Sequence, residues 1–79
     1  MTDRQIRRKI SANIRTQREA AEMSQGEIAK AAPLAQGYVS LLEAGERLPT
    51  LSALNMLAKA MGCELGDLLA GLPTSRNRA

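Results

Sequence analysis

With 79 residues, 44% of them apolar, and a formal net charge of +3, the chain has room for one domain whose core leaves a thin margin of stability. One cysteine, Cys63, and no histidine exclude an intrachain disulfide, a Cys/His metal site and histidine-based acid–base or triad chemistry, so no enzyme, metal or cofactor is expected. Its apolar runs fall far short of the roughly 20 residues of a membrane span, and a start charged through Lys9 lacks an apolar signal core, which reads as cytoplasmic.

The only aromatic residue is Tyr38. A core built from Ile, Leu, Val, Met and Ala favours helix over sheet. Thr2-Asp3-Arg4-Gln5 fits a capping box, in which Thr2 caps the helix and Gln5 reaches back. Ile6, Ile10 and Ile14 then recur at helical spacing, and predict a first helix over Asp3–Ala21. Ser24-Gln25-Gly26-Glu27 is a second capping box, with Met23 and Ile28 placed for a hydrophobic staple. The helix it opens ends by Ala32, because the residue before Pro33 is pushed out of the helical region.

Leu34, Tyr38, Val39, Leu41 and Leu42 space a third helix over 36–44, with Gly45 as its C-terminal stop. Thr50 caps a fourth, whose apolar side is Leu51, Leu54, Leu57, Ala58 and Met61 and which Gly62 ends. Leu65, Leu68, Leu69 and Leu72 mark a short fifth helix. The expected division is a helical domain over 1–72 and a polar, aperiodic tail over 73–79. The tight link between the second and third helices sets them at a steep angle, as in a helix-turn-helix. Six of the eleven basic residues (Arg4, Arg7, Arg8, Lys9, Arg15, Arg18) lie in the first eighteen positions. Arg76 and Arg78 lie in the tail, so a polyanion is expected to feel the first helix and the tail most strongly.

Taken together, Arg18-Glu19, Met23-Ser24-Gln25-Gly26-Glu27-Ile28-Ala29, Tyr38-Val39-Ser40-Leu41-Leu42-Glu43-Ala44-Gly45, Arg47-Leu48-Pro49-Thr50 and Leu57-Ala58-Lys59-Ala60-Met61-Gly62 resemble the phage repressor/Cro (Xre-type) helix-turn-helix family. The resemblance spans about Ile10–Leu72. It implies an all-α, five-helix, lambda-repressor-like domain with the helix-turn-helix at helices two and three. In such domains the second of the paired helices meets base edges.

By that resemblance Ala35, Gln36, Gly37, Ser40 and Leu41 are the base-reading candidates. Gln36 leads them, since a glutamine amide bonds bidentately to adenine. Gln25, Tyr38, Arg47, Thr50 and Arg18 are the phosphate candidates. Arg18 and Glu43 are expected to form a structural ion pair, because a partly buried guanidinium needs a planar acceptor. Ala29 is the small residue that lets the third helix cross the second. Where the family usually has glycine, this chain has Pro33. Proline is held near φ −65°, so the turn is expected to be rebuilt.

The implied partners are double-stranded DNA and a second copy of the chain, with Leu65, Leu69 and Leu72 as the dimerisation candidates. A toxin or a polymerase remains open as a protein partner. Phage repressors, restriction–modification controllers and antitoxins all fit a chain of this kind. The rival reading is a helical protein-interaction module whose DNA readout has degenerated, which the acidic middle of the chain favours. Cys63 is expected to be a small apolar filler.

Overall fold

Capping side chains set three of the helix starts. In the computed structural model, which describes residues 1–73, the hydroxyls of Thr2, Ser24 and Thr50 accept hydrogen bonds from the amides of Gln5, Glu27 and Ala53 at 3.2, 3.0 and 3.0 Å. Gln5 and Glu27 close their capping boxes by accepting from the Thr2 and Ser24 amides, both at 2.8 Å. The helices are α1 Asp3–Ala20, α2 Gln25–Ala31, α3 Gln36–Glu43, α4 Leu51–Met61 and α5 Leu65–Leu68. Among the described residues there is no strand. Residues 74–79, most of the expected tail, lie outside the described range.

The first four helices end the same way. Each closes with a residue at positive φ, followed by an amide that reaches back five residues. The four residues are Glu22 (57°), Pro33 (27°), Gly45 (74°) and Gly62 (72°). The closing bonds run from Met23 to Arg18, Leu34 to Ala29, Glu46 to Leu41 and Cys63 to Ala58, at 2.8–3.1 Å. Glycine takes such a φ at no steric cost, and the sequence offers it at only two of the four ends.

Pro33 changes the turn in part. The turn keeps the left-handed geometry, and the proline departs from its ring-preferred φ near −65°. The closing bond from Leu34 survives because Pro33 does not donate it. The companion bond, which the Gly45 and Gly62 amides make to Leu42 and Lys59, has no donor at Pro33.

The core joins one stripe from each helix: Ile10 and Ile14 of α1, Ile28 and Ala29 of α2, Val39 and Leu42 of α3, Leu54, Leu57, Ala58 and Met61 of α4, and Leu68 of α5. Helix α1 packs on α3, α4 and α5, while α2 packs on α3 and α4. Ala29 is 4% exposed and gives α3 room to cross. Leu51 corrects the expected α4 face, because it is 67% exposed and stands off the core.

The fifth helix is shorter than its leucine spacing predicts. The Asn13 side chain on α1 donates to the carbonyls of Leu68 and Ala70 at 3.0 and 2.9 Å, and Gly71 turns the chain at φ 85°. Leu65, Leu69 and Leu72 are half-buried against the core. Cys63 is half-buried as well, and burial beside the charges of Asp67 and Glu64 pushes its thiol pKa up.

Candidate nucleic-acid interface

Helix α3 has two unlike faces. Val39, Leu42 and Glu43 are buried against α1 and α2, and Tyr38 is half-buried beside them. Gln36, Gly37, Ser40 and Leu41 are exposed on the other face, at the spacing that puts residues three and four apart together. Ala35, exposed, precedes the helix and offers it no side-chain cap. All five base-reading candidates therefore sit at the free surface of α3. Gly37 has open space around it, and its backbone is not at positive φ.

The buried end of α3 is held by a charge cluster. Glu43 accepts from Arg18 Nε at 2.7 Å and Nη2 at 3.0 Å, and from Gln25 Nε2 at 3.1 Å. The paired side chains are 17% and 2% exposed, so the carboxylate is almost wholly out of water. Arg18 Nη1 donates to the Met23 carbonyl at 3.0 Å. The bonds to Glu43 push the Arg18 pKa above its ordinary value, against the lowering effect of burial. One carboxylate thus joins α1, the start of α2 and the end of α3. The Gln25 amide, a phosphate candidate, uses one N–H on Glu43 and keeps a second.

Two further arginines of α1 hold the end of α3. Arg15 donates to the Glu43 carbonyl and Arg7 to the Gly45 carbonyl. Helix α3 carries no basic residue in its last turn. The cations that complement its negative end come from α1 instead. Arg7, Arg15 and Arg18 of the basic first helix therefore also serve the structure, at Gly45 and Glu43. Arg4, Arg8, Lys9 and Arg15 are exposed.

Neither Arg7 nor Arg15 stood out in the sequence. A signal was present, because Arg7, Ser11, Arg15 and Arg18 form one helical stripe, and Ser11 on it is 4% exposed. After α3, Arg47 is exposed. Thr50 spends an oxygen lone pair on capping α4 and retains its proton for another acceptor.

This fold and exposed face define a helix-turn-helix domain. Residues 14–68 match the HTH_3 helix-turn-helix family, and the chain belongs to that family of DNA-binding transcription regulators. The restriction-modification controller protein C.AhdI from Aeromonas hydrophila is similar, with 31% identity over 78% of this chain and 94% of that chain and a TM-score of 0.76. A hypothetical transcription factor, NHTF, from Neisseria is 29% identical over 87% of this chain and 79% of its own, with a TM-score of 0.78. An HTH_3 family transcriptional regulator from Vibrio cholerae shares the fold at a TM-score of 0.83 with 20% identity, over 90% of this chain and 40% of its own. Curated protein sequences gave no match.

Proposed function

We propose that this chain is a sequence-specific transcriptional regulator acting in the cytoplasm, which binds an operator as a dimer with α3 in the major groove. The observation that carries this reading is the two-faced α3. Its polar and small residues are presented to solvent, while its inner face and its end are fixed to α1 and α2 by Val39, Leu42 and the Glu43 cluster. A reading helix so braced meets DNA with little left to order.

In this reading Gln36 and Ser40 bond base edges, Ala35 and Leu41 lie near thymine methyls, and Gly37 lets the backbone approach. Gln25, Tyr38, Arg47, Thr50 and Arg18 contact phosphates, which position the domain without reading sequence. Residues 1–72 act as the DNA-binding unit. One short helix reads few base pairs, and two half-sites about 34–36 Å apart require a dimer. The half-buried Leu65, Leu69 and Leu72 are the surface we assign to it. The likeness to C.AhdI across nearly all of that chain supports a controller-type role.

Fluorescence anisotropy with a retained genomic fragment and a scrambled one tests the reading. Binding should favour the retained fragment and fall steeply with salt. Arg47→Ala should weaken both fragments about equally, whereas Gln36→Ala should weaken the retained fragment more. Equal binding of both fragments by the unaltered chain would contradict sequence-specific regulation and favour the protein-interaction module.

A further inference from the structure

Gly26 is the second residue of α2, and its φ is not positive. The backbone therefore makes no demand for glycine there, and glycine weakens a helix. What lies against the space a side chain would fill is Gln36, the leading base-reading candidate. A Cβ built at Gly26 meets Gln36 Oε1 at 3.4 Å, Cδ at 3.7 Å and Nε2 at 3.8 Å. All three atoms of the terminal amide plane lie over this one position. The neighbouring Gln25 is itself held by Glu43, so the floor beneath the Gln36 amide is a fixed one.

We infer that Gly26 is a specificity-determining residue, forming the seat that sets the height and orientation at which Gln36 presents its amide to a base pair. The inference rests on the reading that α3 faces DNA. Bidentate bonding to adenine needs the amide oxygen and nitrogen placed together. A glutamine free to rotate about three side-chain bonds loses that placement. The seat removes much of this freedom before DNA arrives. Residue 26 thereby acts on base choice without touching a base.

Two substitutions separate the seat from its neighbours. Gly26→Ala adds a methyl at ordinary van der Waals distance from the amide and leaves Gln36 in place. Gly26→Val adds two γ-carbons, and the staggered arrangement leaves only one of three directions empty. Gln36 is then displaced. In the free protein, the Gln36 side-chain amide resonances should shift strongly in Gly26→Val and slightly in Gly26→Ala.

The binding test is a double-mutant cycle with Gln36→Ala, read as base preference at every operator position. Gly26→Val should lose about tenfold of the preference at the single base pair per half-site that Gln36→Ala also relaxes. It should change nothing further once Gln36 is alanine. Gly26→Ala should keep that preference within about twofold. Circular dichroism confirms that each variant is helical. An unaltered preference in a folded Gly26→Val protein, or an equal change in both backgrounds, would overturn the inference and leave the regulator reading standing. Absence of any base preference in the unaltered chain would overturn the regulator reading, and the inference with it.

Discussion

Replacing Arg18 and Glu43 by methionine, singly and together, probes the brace behind α3. Arg18→Met removes both N–H donors that face the carboxylate and leaves Glu43 with Gln25 as its side-chain partner, at 3.1 Å. The Glu43 side chain is 2% exposed, so water cannot take over. A stranded buried charge of this kind costs about 3–5 kcal/mol. Glu43→Met strands Arg18 instead. That guanidinium keeps its bond to the Met23 carbonyl and is 17% exposed, which places its cost lower, at about 2–3 kcal/mol. The double variant removes both charges and fills the space with apolar atoms, so it should lie within about 1–2 kcal/mol of the original chain. Urea denaturation followed by circular dichroism measures all four stabilities. A domain of this size has only about 4–12 kcal/mol in total, so Arg18→Met should remove a large share of it and the double variant should not. Single variants within about 0.5 kcal/mol of the original would refute the reasoning, since that is the behaviour of an exposed, screened pair.

Pro33→Gly should raise stability by about 1 kcal/mol. Glycine's freedom at positive φ and a regained amide donor outweigh the greater freedom of the unfolded chain; a loss of stability in the same urea assay would refute this balance. Gly37→Ala should stabilise the helix by roughly 0.5–1 kcal/mol, because its surroundings are open. It should nonetheless weaken DNA binding if the backbone approaches the groove there, and unchanged affinity by anisotropy would count against that approach. Leu57→Ala, at a fully buried position between α4 and the rest of the core, should cost about 2–5 kcal/mol, read as a lower urea midpoint.

Local rules carried most of the fold. The capping boxes at Thr2 and Ser24, the stop imposed before Pro33 and the glycines at 45 and 62 mark helix ends with chemistry confined to a few neighbouring residues. The apolar spacing of Ile10, Ile14, Leu54, Leu57 and Leu68 marks the buried stripes. Features set by distant partners were not legible in this way. The length of α5 depends on Asn13, which takes carbonyls 55 and 57 residues further along, while its leucine spacing alone extends the helix to Leu72.

Arg7 and Arg15 bind backbone carbonyls that belong to no motif, so their roles appear only when α1 lies across the end of α3. Leu51 matches the apolar pattern of α4 but stands beyond the reach of its neighbours. In the candidate interface, the exposed positions of α3 followed from the resemblance. The seat at Gly26 did not, because a glycine near a helix start has nothing in its own neighbourhood to announce the side chain resting on it. At Pro33 the closing bond runs from Leu34 to Ala29, so it forms although proline has no amide to donate.

Selection of bound sequences from a random double-stranded DNA pool tests the central claim most directly. The account predicts enrichment of one palindromic site with half-site centres about one helical turn apart, and with one position per half-site that relaxes in the Gln36→Ala variant. A bound pool with no sequence enrichment at physiological salt would contradict it.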